Sequence, residues 1–164
     1  MMQRHNTELA DILGNLVHRA TNLCVKYDGG KVVDCDSDIV FDLDELIDDV
    51  EGAFAEFRIH DAAEHVLEAV RTLNKYIQDK APWGMKNDEV GRTKVVQTTI
   101  QCVYVLAHFM YPFIPASMDL IFERLSTPVQ TIKTLSPSFN NLAVGTDVTV
   151  GCILFTKFEK DGAK

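Results

Sequence analysis

Over residues 7–27 the apolar positions Leu9, Ile12, Leu13, Leu16, Val17, Ala20, Leu23 and Cys24 recur at three- and four-residue steps. That period predicts an amphipathic helix, which Gly29-Gly30 ends. A short acidic connector follows. Asp42-Leu43-Asp44-Glu45 then reads as a capping box opening a second helix, with Leu46, Ile47, Val50, Ala53, Phe54 and Phe57 turned inward. Asp61-Ala-Ala-Glu64 repeats the cap before a third helix, whose inward face is Ala63, Val66, Leu67, Val70, Leu73 and Ile77. This helix must stop by Ala81, because Pro82 disfavours helical geometry in the residue before it. Asn87 or Asp88 caps a fourth helix running to Met110, so apolar from Val95 onward that it is expected to lie centrally. Pro112 and Pro115 break it, and a shorter helix around residues 117–125 completes the set.

Beyond Ser126-Thr127-Pro128 helical periodicity fades. The closing segment GTDVTVGCILFTKFEK has β-branched and aromatic content and two glycines, which reads as extended chain packed on the helices. The pattern therefore predicts an all-α fold: an antiparallel bundle of about five helices over residues 1–126, with an irregular or short-strand C-terminal tail, 127–164, packed on it.

Composition adds limits to this picture. At 164 residues and 46% apolar content the chain can bury one core. It contains no run of 18 apolar residues, and its start, MMQRHNTELA, has neither an apolar h-region nor a cleavage site. The reading is a soluble, cytoplasmic protein. Cys24, Cys35, Cys102 and Cys152 stand far apart without any CxxC, so they read as reduced thiols, not a metal knuckle or disulfide framework. The net charge of −8 argues against a nucleic-acid binder until its distribution is considered. Nine acids (Asp34, Asp36, Asp38, Asp42, Asp44, Glu45, Asp48, Asp49 and Glu51) fall in one stretch without Lys or Arg, and the other 15 acids face 16 basic residues. Outside residues 34–51 the chain is near neutral, which suits RNA binding only if that stretch lies away from the RNA.

No catalytic motif is present: GxSxG, a Gly-rich phosphate loop and HExxH are all missing. Cys102 and His108, six residues apart on one helix, face different ways and do not form a nucleophilic pair. His60 and His65 read as residues of a solvated helix start, and His108 as a satisfied core histidine. Asp34, Asp36, Asp38 and Glu45 occupy positions 1, 3, 5 and 12 of an EF-hand loop, but the sixth position is Ile39 where that loop needs Gly. A solvated acidic connector is the better reading, and no metal site is assigned.

Two polar arrangements are more informative. Asn15, Arg19, Asn22 and Lys26, spaced four, three and four, form one stripe opposite the apolar face of the first helix. Amide and guanidinium groups can read base edges. Every amphipathic helix has a polar face, so the stripe alone assigns no role. The single tryptophan, Trp83, follows Pro82 directly after a helix end. Exposed there, it is a stacking platform for an unpaired base; turned inward, it plugs the bundle end. The pattern leaves both open.

Taken together, LGNLVHR at residues 13–19, NKYIQDKAPW at 74–83, YPFIPASM at 111–118 and the tail VGTDVTVGCILFTKFE resemble the anticodon-binding domain of methionyl-tRNA synthetase, a class I aminoacyl-tRNA synthetase. The likeness runs over residues 9–160, and its tail is most similar to eukaryotic and archaeal members. The resemblance implies recognition of the CAU anticodon of methionine tRNA: Asn15 and Arg19 would contact the anticodon, and Trp83 would stack on its first base, a cytosine. Asn74 and Tyr76 fall in the same motif and are read as structural support. Asn22, Lys26 and Lys86 are added as further RNA contacts on their position alone. The family's catalytic half, with its HIGH and KMSKS signatures, is not in this sequence. ATP and methionine would bind there, so no cofactor is expected in this chain and it should be inactive alone, either as part of a longer enzyme or as a subunit working in trans with that catalytic domain. The competing readings are the anticodon domain of another class I synthetase and a helical protein-interaction module.

Overall fold

The computed structural model describes the backbone of residues 2–151 and the side chains of residues 12–151. Five helices form an all-α bundle: α1 (Met2–Asp28), α2 (Leu43–Ala55), α3 (Ile59–Lys80), α4 (Glu89–Met110) and α5 (Pro115–Arg124). None of them is long and apolar enough to cross a membrane. α1 begins ahead of the expected residue 7; the inward placement expected for Leu9 lies outside the described side chains, as do Cys152 and the tail beyond residue 151.

Local chemistry explains most boundaries. Asp42 caps α2 by accepting from the backbone N–H of Glu45 at 3.0 Å, and Asp88 caps α4 by accepting from Gly91 at 2.8 Å. The second expected cap is not formed. α3 starts at Ile59 with Arg58 at its N-cap, and Asp61 sits inside the first turn, bonded to Arg58 Nη1 at 2.6 Å. The cause lies just upstream, where Phe57 takes a left-handed φ of 58° and reverses the chain within two residues. Phe57 is consequently 88% exposed and not part of the α2 face. The register of α3 likewise buries Ala62, leaving Ala63 only half-buried.

α1 packs mainly on α4 and α2 mainly on α3, with α3 and α5 also against α4. α4 is therefore surrounded, and every residue from 95 to 110 is buried. Its polar members do not interrupt the core; they hold the non-helical chain. Gln97 accepts from the N–H of Val33 and donates to the carbonyl of Lys31 and the carboxylate of Asp28. Gln101 Oε1 accepts from the N–H groups of Asn141 and Leu142 at 2.8 and 3.0 Å. The Tyr104 hydroxyl donates to the Pro128 carbonyl, and His108 Nε2 accepts from the Gln130 N–H at 2.9 Å. Buried backbone groups require partners, and α4 supplies them to segments with no ladder of their own.

The described part of the tail closes on the end of α1. Lys31 and Asp147 form an isolated antiparallel bridge, flanked by bonds from Val32 N–H to Thr146 and from Val148 N–H to Gly30. Gly30 has φ 70°, and a Cβ there would stand 3.0 Å from the Val148 carbonyl, so glycine is required at this crossing.

Candidate nucleic-acid interface

The corner carrying Trp83 is built by its neighbours. Ala81 ends α3 in the left-handed conformation (φ 44°, ψ 62°), its N–H bonded to the Ile77 carbonyl. Pro82 opens a 3-10 turn over Pro82–Gly84 and is itself buried. Bonds from Gly84 N–H to Ala81 and from Met85 N–H to Pro82 close the turn. With Pro82 turned inward, Trp83 is left 43% exposed, and Lys86 is exposed beside it in sequence.

Asn15, Arg19, Asn22 and Lys26 are all exposed on α1. At 1.5 Å per residue the stripe runs about 16 Å along the helix. Its C-terminal end meets the start of α4, where Thr93 and Gln97 both donate to the Asp28 carboxylate. Two residues missed from the sequence join this end to the Trp83 corner. The Arg92 guanidinium lies 4.7 Å from the Tyr27 ring centre, and its Nη1 donates to the Met85 carbonyl at 3.2 Å. Lys26 Nζ also lies 4.9 Å from the Tyr27 ring. Nothing local marks either residue, because the contacts join positions 27, 85 and 92 of the chain.

Part of the acidic stretch is drawn back onto the bundle. Asp38 receives Lys94 Nζ at 2.7 Å and the Tyr76 hydroxyl at 2.9 Å, with Lys80 Nζ at 3.8 Å, while its own N–H donates to Thr98. The hydrogen bond from Lys94, followed by that from Tyr76, holds the Asp38 carboxyl below the usual carboxylate range despite partial burial. Tyr76 is thus a strut between α3 and the connector, and Asn74 bonds back to the Val70 carbonyl of its own helix. Lys94 and Arg92, two residues apart on α4, point to different sides, one to the connector and the other to Met85. Asp44, Glu45, Asp48, Asp49 and Glu51 are exposed on α2, a helix that packs mainly on α3.

His108 is held neutral on both nitrogens: Nε2 accepts from Gln130, so Nδ1 carries the proton toward the Tyr104 carbonyl at 2.7 Å, and burial lowers its pKa. Cys24, Cys35 and Cys102 are free thiols, with burial pushing Cys24 up to about 12. Among the described residues no three His, Cys, Asp or Glu side chains are grouped to hold a metal ion.

The sequence matches the family model described as the anticodon binding domain of methionyl tRNA ligase over residues 27–164. It is 25% identical to the methionine–tRNA ligase of Clostridium acetobutylicum across 98% of this chain and 26% of that protein. It is 34% identical to that of Bacillus mycoides across 75% of this chain and 23% of that protein. An archaeal relative, from Halobacterium salinarum, is 31% identical across 75% of this chain and 18% of its own length. The fold is similar to that of apo methionyl-tRNA synthetase from Mycobacterium tuberculosis, with a TM-score of 0.76 and 24% identity across 95% of this chain and 34% of that one. The chain spans about a quarter of the length of the Clostridium acetobutylicum and Bacillus mycoides relatives. A helical bundle with an exposed tryptophan corner, matched by the family model over residues 27–164, identifies this chain as a member of the methionyl-tRNA ligase anticodon-binding domain family.

Proposed function

We propose that this chain reads the CAU anticodon of methionine tRNA, serving as the non-catalytic anticodon-binding part of a methionyl-tRNA synthetase in the cytoplasm. Trp83 stacks on the first anticodon base, and Asn15 and Arg19 on α1 hydrogen-bond to the anticodon. Asn22, Lys26 and Lys86 add contacts to the backbone or loop. Binding of ATP and methionine belongs to the catalytic domain, the other partner this reading requires.

The observation that carries the reading is the 43% exposure of Trp83 on a corner whose Pro82 is buried. A tryptophan plugging the bundle end would be shielded, whereas a rigid, half-open indole offers a π-face without ordering cost. The link through Arg92 from Tyr27, at the end of α1, to Met85, beside Trp83, supports a shared surface.

The test is titration of a CAU anticodon stem-loop at low salt while following Trp83 fluorescence, beside a second loop with the first anticodon cytosine replaced. CAU should quench the indole and the replaced loop should not. Trp83→Ala, assayed by anisotropy of a labelled loop, should weaken CAU binding by about 1–3 kcal/mol. An equal response to both loops would reject anticodon reading and favour the protein-interaction alternative.

A further inference from the structure

We infer that Arg92 is a positioning residue that sets the Trp83 platform against the α1 stripe, an inference that rests on the anticodon-reading proposal above for its functional meaning. The Arg92 side chain is only 17% exposed. Its guanidinium lies 4.7 Å from the Tyr27 ring centre on one side and donates to the Met85 carbonyl at 3.2 Å on the other. Glu89 is a distant partner at 3.8 Å, and Nε is buried without a hydrogen-bond partner among the described residues. A guanidinium so enclosed is badly placed to meet a phosphate but well placed to join two elements, since its planar fork stacks and donates at once.

Those two elements are the ones the function needs in register. Tyr27 lies in the last turn of α1, one residue beyond Lys26 of the polar stripe. Met85 is two residues beyond Trp83 and is bonded through its own N–H to the Pro82 carbonyl, while Gly84 bonds Ala81. Holding the Met85 carbonyl therefore braces the turn that presents Trp83. Pro82, buried, fixes the corner from the α3 side. Arg92 fixes it from the α4 side and ties it to α1. A residue that need not touch RNA in this way joins the Trp83 corner to the end of the helix that carries Asn15 and Arg19.

Arg92→Ala and Tyr27→Leu test this in the full chain; the second keeps both the charge and the Met85 bond while removing the ring beneath the guanidinium. Circular dichroism establishes that each variant is folded. Trp83, the sole tryptophan, reports directly. In the free protein, Arg92→Ala should lower Trp83 fluorescence anisotropy, and Tyr27→Leu should lower it less. In binding, the preference for CAU over the loop with its first base replaced should fall about tenfold, because a base stacked on a displaced indole no longer meets the hydrogen-bonding groups of Asn15 and Arg19, while the slope of log affinity against log salt is unchanged. Arg92→Lys, which restores charge without the fork, should recover little of the preference. Uniform weakening toward both loops, a salt slope reduced by about one and rescue by Lys would make Arg92 a phosphate contact and overturn the inference. Unchanged anisotropy and preference in Arg92→Ala would also overturn it. Should the unmodified chain fail to distinguish the loops, the anticodon reading falls, while the hold of Arg92 on Trp83 is still decided by the anisotropy.

Discussion

α1 and α4 carry polar stripes with the same spacing. Asn15, Arg19, Asn22 and Lys26 advance by four, three and four residues, and so do Gln97, Gln101, Tyr104 and His108. Both stripes occupy one helical face, as that spacing requires. The α1 stripe is exposed, whereas the α4 stripe holds the connector and the tail by hydrogen bonds to their backbone. The difference teaches that spacing assigns a face but not its use. On α1 the stripe faces solvent, its partners there being local, the His18 carbonyl for Asn22 and the Tyr27 ring for Lys26; on α4 the polar groups are consumed by distant chain, because each neighbouring irregular segment brings buried N–H and C=O groups that must be paired.

The strongest way to break the contrast is to remove a member of the buried stripe. Gln101→Leu leaves the Asn141 and Leu142 N–H groups and the Leu142 carbonyl without their partner, and should cost about 3 kcal/mol in urea unfolding. A cost below about 0.5 kcal/mol would show that α4 does not organise the tail. On the exposed stripe the separation should be the reverse. Asn15→Ala and Arg19→Ala should each shift stability by less than about 0.5 kcal/mol, yet weaken CAU stem-loop binding by about 1–3 kcal/mol where a base contact is lost.

A smaller effect is expected where the exposed platform is held. Ala81 sits at φ 44°, so Ala81→Gly should relieve left-handed strain and stabilise the chain by about 0.5–1 kcal/mol, read as a raised melting temperature. Loss of stability there would mean that tertiary contacts of the Ala81 methyl outweigh the backbone term. The smallest effect is in pH. Burial lowers the His108 pKa, so the unfolded chain binds a proton that the folded chain resists. Stability should therefore be fully present above the ordinary histidine value of about 6.5 and decline as pH falls through it toward the folded value. Urea titrations at about pH 7.5 and 5.5 bracket that window, and a gain on acidification would contradict the neutral His108 bonded to Gln130.

Much of the architecture was legible because it follows from short-range rules. The 3.6-residue period located the helices, Asp42 and the Asn87-Asp88 pair announced the starts of α2 and α4, with Asp88 the cap, and Gly29-Gly30 and Pro82 marked the ends of α1 and α3. Asp61 followed the same cap pattern and failed, because the left-handed Phe57 reverses the chain early enough for α3 to begin at Ile59. The acidic connector read as solvated, yet Asp38 turns back to Lys94, Tyr76 and Lys80, partners supplied by α3 and α4.

The sequence by itself determined the helices, most of their inward residues, the central place of α4 and, through its motifs, the family. Tertiary structure decided that Trp83 is exposed, that the α4 stripe is spent on the tail and connector, and that Tyr27, Met85 and Arg92 meet. Helix period and capping act within about four residues along the chain and so are written locally. Exposure and hydrogen-bond partnership depend on which distant segment arrives, and that is fixed only when the bundle closes around α4.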